Sequence, residues 1–516
     1  MPPELQAASN DADLLQRFEE EVRSRVPHVN KGRVVNPTPL VDVTPVLQEC
    51  ARSEYGLRLG LDVRVLAKFD SKIAGGSVKV RPAVNIVGDA ITAGRLTRGQ
   101  TVFEATSGNF GLALGWLGRL GVDVVALVSR RLQQGVLDQL RADGVRLINL
   151  DIDICPAPGM KGDADLLMAK GVAVSVRQQL AELGFDTTKF DGARERVEGL
   201  LARQDAIGLA KLLAQVYGGF CTEQYDSELN VQVHRSVTGP ELDQQLSGLG
   251  SSLGEADFVC TFGTGGTAGG VGKYVSSRYG RKGVRVVFPL AGQDVAGIRT
   301  RDKAMGLRFY EPEAYLGEHE VDFDDATKLF EFFNRKGYDI GESGALALYA
   351  CMQLINFGVG RQFVVMVADG ASKYATEVEA VARRGKRDQV RLDEAASSIK
   401  EYGGVVWAHN MFVPKADGVR VIASSLGCPE SDVRVAATRD VQTVLNGGEP
   451  SAEFESLLPK DDRPILIVCM AGNTSLMLAK VLERRGVAAE SLVGGITGLP
   501  ASRGRQPFDL VEIARG

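Results

Sequence analysis

Residues 74–83 read AGGSVKVRPA, and the reading of Lys79 within that run decides how the rest of the chain is understood. A lysine at the start of an amphipathic helix ordinarily faces solvent. Here Val78, Val80, Ala83 and Val84 surround it with apolar side chains, which would turn the amine toward a pocket. A desolvated lysine has a lowered pKa and can attack a carbonyl carbon as a free amine. Surface charge and pocket nucleophile both stay open on this run alone. The segments on either side of it must separate them.

Outward from Lys79, short Val-rich runs alternate with segments of helical period. VRVLAKF, TVFEAT, VDVVALVS, VRLINL, DFVCTFGT, VRVVFPLAG and QFVVMVAD read as buried strands bounded by Gly or Asp. GNFGLALGWLGRLG and LQQGVLDQLRADG read as helices. Repeated strand then helix predicts an α/β fold, an open and mainly parallel sheet with helices on both faces. Ligands of such sheets sit where strands end and Gly-rich turns enter helices. Residues 1–35 read as a helical arm followed by a loop. Residues 164–217 read as helices with little strand signal, either a helical layer of the same domain or a lid or oligomer arm. The basic stretch VARRGKRDQVR reads as a linker or exposed helix end, with a domain boundary near 388. Beyond it GGVVWAHN, VRVAAT and PILIVCMAGN form a second, shorter α/β series.

Composition removes whole classes of function. The chain has 516 residues, room for about three domains. A net charge of −5 argues against a nucleic-acid partner. No apolar run approaches the roughly 20 residues that cross a bilayer, so no membrane role is expected. The N-terminus is polar and acidic, without the apolar core of a secretory signal. Seven cysteines, an odd number without paired spacing, fit reduced thiols in a cytoplasm. Four histidines and no Cys-x-x-Cys leave little with which to build a metal centre.

Three further runs carry chemistry. EATSGNFGLALG (104–115) follows a strand and opens a helix, so Thr106, Ser107 and Asn109 either cap that helix or join its N–H groups around an anion. TFGTGGTAGGVGKY (261–274) does the same with Gly263, Thr264, Gly265, Gly266 and Thr267, a turn whose N–H groups can face inward around a phosphate. It is not the loop of nucleoside triphosphate enzymes. GESGALALYA (341–350) puts Ser343 at the start of an apolar helix, beside Glu342, which could equally cap it.

In this order the pieces resemble the fold-type II pyridoxal-phosphate enzymes, the cysteine synthase and cystathionine β-synthase family, whose tryptophan synthase β-like fold has parallel sheets. The resemblance runs from NPTPL at 36 to ADGASKY at 374 and implies a catalytic domain over 36–387. It implies pyridoxal 5′-phosphate as cofactor, with Lys79 as the Schiff-base lysine and Asn109 facing the cofactor's 3′-oxygen. The GTGGT turn would hold the phosphate, and Ser343 would face the pyridine nitrogen. Thr106, Ser107 and Gln224 would hold the carboxylate of an amino-acid substrate. A serine hydroxyl does not force a proton onto the ring nitrogen, which suits loss of a β-substituent through an aminoacrylate. Two positions depart from the family's pattern: Val80 stands where Asp is frequent, and Phe110 where a second Thr is found. Both leave the substrate open. Relatives are usually homodimers, and the resemblance implies the same here.

The C-terminal run ILIVCMAGNTSLMLAKVLERRGVAAESLVGGITGLP (465–500) is similar to a rhodanese (sulfurtransferase) domain, which would occupy 388–516. A strand would deliver Cys469 into a loop whose N–H groups stabilise a thiolate or persulfide. Joined through sulfur, the two halves imply β-replacement on an O-activated serine or cysteine, with Cys469 carrying the sulfur. Cysteine β-elimination delivering sulfur to Cys469, and a non-catalytic sulfur-binding scaffold, are the alternatives.

Overall fold

The Val-rich runs all fold as strands, but they are divided between two sheets. The computed structural model describes residues 13–374, except 130–131, 133, 151–165, 204, 292 and 294, and residues 389–499, except 410–414, 446–447, 462, 470–472 and 494. The chain forms two units, Met1–Val378 and Glu379–Gly516. The boundary expected near 388 lies outside the described residues.

In the first unit, β1 (His28–Asn30) and β2 (Arg33–Val35) form an antiparallel hairpin where a loop was expected. Its turn is possible because Lys31 and Gly32 both take positive φ, 48° and 76°. Ahead of it, Leu14, Phe18 and Val22 are buried, so the described part of the N-terminal arm is packed into a core.

β3 (Leu40–Asp42), β4 (Arg64–Phe69), β8 (Asp257–Thr261), β9 (Val284–Pro289), β10 (Gly317–Val321) and β11 (Gln362–Val367) make a six-stranded sheet in the order β10-β9-β8-β11-β4-β3. All its pairings are parallel except β3 on β4. β5 (Thr101–Ala105), β6 (Asp123–Ser129) and β7 (Arg146–Leu150) form a separate parallel sheet. Both sheets are covered on both faces, which is why their strands are continuous apolar runs rather than alternating ones. β10, reading GEHEV, is a half-exposed edge strand with no such run, and the sequence reading passes over it.

The helices α1 (Val80–Thr92) and α2 (Asn109–Leu117) pack on one face of the three-stranded sheet. Its other face is covered by α3 (Leu166–Glu182), α4 (Thr187–Ala202) and α5 (Ala206–Tyr217). The described part of the segment 164–217 is thus a helical layer. α6 (Gly239–Ser247) and α7 (Gly266–Tyr279) cover one side of the six-stranded sheet, and α8 (Phe323–Arg335) and α9 (Glu342–Asn356) the other.

The second unit is a five-stranded parallel sheet, β12 (Gln389–Val390), β13 (Gly404–Ala408), β14 (Val433–Ala436), β15 (Ile465–Val468) and β16 (Ala489–Leu492), in the order β12-β16-β15-β13-β14. Gln389 and Val390 belong to an edge strand paired with β16, not to a linker or helix end. Apolar clusters cover both faces. Gly418 lies against the ring of buried Trp407, where a Cβ would meet ring carbon at 2.1 Å. Among the described residues no helix is long and apolar enough to cross a membrane.

Candidate active site

Lys79 is the residue from which α1 departs. Pro82 fits the first turn of that helix because the N–H it lacks would have no partner within the helix anyway. The loop before Lys79 is tied to the end of β11: Val78 N donates to Ala368 O at 2.7 Å, and Ser77 bridges Asp369. Lys79 keeps part of its surface open to a cavity while its amine lies deep in the protein. Burial, and then the positive charge of Arg299, lower its pKa to about 8. No hydrogen bond to its Nζ is made by the described residues. That is the pocket reading of Lys79 rather than the surface one.

The same cavity is lined by Ser107, Asn109, Phe110, Gln224, the turn 263–267 and Ser343. Each arrives from the end of a strand or the start of a helix. Ser107 sits exposed at the mouth. Asn109 opens α2, and its Nδ2 donates to Asp369 Oδ2 at 2.7 Å. Tyr374 Oη donates to the same oxygen at 2.5 Å. Ser343, buried, stands in the first turn of α9, just after Gly341, whose N–H donates to Asp369 O at 2.9 Å. Asp369 therefore joins the lysine loop, the asparagine loop and the serine helix.

Thr106 is the expected site residue that does not line the cavity. Its Oγ1 accepts the N–H groups of Gly108 at 3.1 Å and Gly111 at 3.0 Å, so its side chain shapes the turn into α2. A hydroxyl two residues before an N–H is well placed for such a local bond, and the turn takes it.

The glycine turn between β8 and α7 is a cradle that side chains would fill. A Cβ on Gly266 would meet Asn230 Oδ1 at 2.1 Å, and one on Gly265, which holds φ +88°, would meet Phe309 O at 2.7 Å. One on Gly263 would come within 3.6 Å of the Lys79 amine. The first-turn N–H groups of α7 have no partners within the helix and carry its positive end. Thr264 Oγ1 accepts from Asn230 Nδ2 at 2.9 Å. Thr267 Oγ1 lies 3.2 Å from His234 Nε2, whose ring is held at Nδ1 by Thr238, 3.0 Å away. Burial, then Arg81, lower the His234 pKa to about 3, so this imidazole is neutral.

Sequence reasoning misses the residues that hold this cavity from behind. Glu104 is one: its buried carboxylate accepts from Nε2 of the expected site residue Gln224 at 3.3 Å. Arg81, two residues past Lys79, donates to both oxygens of Asp70 at 2.6 and 2.8 Å and to Glu241 Oε2 at 2.7 Å. Lys68 meets Glu241 Oε1 at 2.5 Å. All four charges are buried, and together they pin the start of α1. The one signal in the sequence was position: Glu104, Asp369 and Arg81 each stand within a few residues of a motif.

In the second unit Cys469 is buried at the end of the central strand β15. Ser475 Oγ donates to its sulfur at 3.3 Å and lies 2.8 Å from Ser491 Oγ. Residues 470–472 of the expected thiol loop are outside the described residues.

A family model described as "Pyridoxal-phosphate dependent enzyme" matches residues 35–369. The chain is 25% identical over 354 residues to the cysteine synthase of Staphylococcus aureus (strain Mu50), spanning 67% of this chain and 94% of that protein. It is 26% identical over 354 residues to the cysteine synthase of Aquifex aeolicus, spanning 67% and 90%. A solved structure of an O-ureido-L-serine-bound mutant of O-ureido-L-serine synthase covers 71% of this chain and 96% of that one, at 21% identity and a TM-score of 0.48.

Proposed function

This chain belongs to the pyridoxal-phosphate dependent enzymes, and from that membership we propose that it performs β-replacement on a β-substituted L-alanine, with sulfur displacing the leaving group of an O-activated L-serine, or with another nucleophile displacing the sulfur of cysteine. The observation that carries the reading is one cavity that gathers a buried amine, a glycine cradle at a helix N-terminus and a serine hydroxyl. These residues fit the cofactor. Lys79 would hold its carbonyl carbon, the turn 263–267 and the first turn of α7 its phosphate, and Ser343 its ring nitrogen. When bound, pyridoxal phosphate supplies an electron sink for the bonds at the substrate's α-carbon.

The chain's own residues do the rest. With a pKa of about 8, the Lys79 amine exists partly neutral near neutral pH and can take the α-proton on Nζ. Asn109 would face the cofactor's 3′-oxygen, and Ser107 and Gln224 would bind the substrate carboxylate. Phe110 lines the cavity as a buried apolar residue where the family's pattern has a hydroxyl. The full chain supplied with pyridoxal phosphate, O-acetyl-L-serine and sulfide should form cysteine. With L-cysteine alone it should release little sulfide or pyruvate. Matched release of both from L-cysteine would overturn replacement in favour of elimination.

The proposal extends to the second unit, read as a rhodanese-like domain from about 388 in which Cys469 would carry sulfane sulfur as a persulfide, released as sulfide by two equivalents of a small thiol, which leave as a disulfide, before the sulfide adds to the substrate's β-carbon. It is supported by the cysteine's place at the end of the central parallel strand, where ligands of such sheets are bound. Cys469→Ser should abolish sulfur transfer from thiosulfate to cyanide; transfer that persists would remove Cys469 from the reading. A homodimer and a cytoplasmic setting belong to the same proposal.

A further inference from the structure

Gln224 reaches the cavity from a segment that runs beside β5. Phe220 N donates to Thr101 O at 2.9 Å and Phe103 N to Phe220 O at 2.8 Å, which brings residues 221–224 to the side chain of Glu104. Between Thr222 and Gln224, Glu223 holds φ +51°, a backbone conformation that residues other than glycine rarely adopt. With the backbone so turned, both neighbours bond the same carboxylate. The Thr222 hydroxyl and, at 3.8 Å, the Cys221 thiol donate to Glu104 Oε2, and Gln224 Nε2 donates to Oε1. Glu104 does not line the cavity itself and meets it only through Gln224.

An ionised carboxylate only accepts hydrogen bonds, so the amide end that meets it must be the nitrogen. We propose that Glu104 is a positioning residue: it pins the Gln224 amide nitrogen, leaving that nitrogen's second N–H for the carboxylate of the amino-acid substrate. Without the pin the amide can turn its oxygen to the cavity and repel that carboxylate. The inference rests on the role given to Gln224 above.

The groups around Glu104 are few. β6 sets Ala126 beside it, and α5 brings Lys211, which pairs outward with Glu223 at 2.6 Å. Burial raises the Cys221 thiol well above its ordinary range. Burial likewise raises Glu104 to about 7, against the hydrogen bonds from Thr222 and Gln224. Above that pH Glu104 only accepts and fixes the amide nitrogen toward itself; below it the carboxyl gains a proton, can also donate, and no longer fixes which end of the amide meets it.

The test uses the cofactor-loaded full chain and whichever of O-acetyl-L-serine, O-phospho-L-serine and L-cysteine it consumes fastest. At about pH 8.5, Glu104→Gln should raise KM about tenfold and change kcat by less than about twofold. The gap from the unsubstituted enzyme should close as pH falls below about 7. In a Gln224→Leu background, Glu104→Gln should add nothing. An equal effect in that background, or no effect of Glu104→Gln where Gln224→Leu raises KM, would overturn the proposal alone. An unchanged KM in Gln224→Leu would overturn it together with the role of Gln224. Should Glu104→Gln fail to load cofactor, Glu104→Asp, which withdraws the carboxylate by one methylene, is scored in the same way.

Discussion

Lys68 and Lys79 are both deeply set in the first unit, and in both burial lowers the pKa to about 8. Their surroundings differ in every other respect. Lys68 spends its three N–H groups on Glu241 Oε1, Thr38 O and Gln245 Oε1, at 2.5, 2.7 and 2.7 Å. Arg81 closes the cluster on Asp70 and Glu241, so two cations face two anions. Lys79 has neither anion nor acceptor among the described residues; its charged neighbour is Arg299, which repels it. Burial alone therefore does not make a lysine chemical. A paired buried lysine is locked in place, whereas an unpaired one beside a cavity keeps its amine for a substrate or cofactor.

The widest break in that comparison comes from Lys79→Ala. Turnover should fall by at least about a thousandfold, and the visible band of the cofactor-loaded enzyme should be lost, while the melting temperature stays within a few degrees. A yellow, active variant would end the distinction between the two lysines. Arg81→Leu attacks the other side. It leaves two buried carboxylates facing Lys68 alone and should cost about 3–5 kcal/mol of stability, read by urea unfolding. A loss under about 1 kcal/mol would mean that the cluster is not the lock it resembles.

The finest test is one of pH. Lys79 binds its proton more weakly folded than unfolded, so its contribution to stability is unfavourable below about 8 and is relieved as pH rises from about 8 toward the ordinary lysine value of 10.5. Cofactor-free Lys79→Met should thus be more stable than the unsubstituted protein at neutral pH by about 1–3 kcal/mol. The gap should close near pH 10.5. A gap independent of pH would show that the amine is not desolvated in the way its surroundings indicate.

What was legible depended on how far apart in the chain the partners lie. The seven buried strands of the first unit could be read because a strand covered on both faces must be apolar throughout. Edge strand β10 and the two-residue β12 could not, since half-exposed pairing leaves no such mark. In the first unit, Lys79, Asn109, the turn 263–267 and Ser343 line one cavity, and each is legible because it lies in a local motif. Thr106 bonds the turn into α2 and does not line the cavity, an outcome the sequence leaves open because the same residue type suits a cap and a ligand. Asp369 and Glu104 were passed over because they meet Asn109 and Gln224 from 260 and 120 residues away.

The α/β class, the order of the motifs and the residue types suited to pyridoxal chemistry can all be read from the amino acids in line, since they follow from local periodicity and from what each side chain can do. Which lysine is paired and which faces a cavity, which hydroxyl lines that cavity, and which carboxylates hold the two amides emerge only from the fold. Those outcomes rest on burial and on hydrogen bonds between distant segments, and neither exists until the chain has folded.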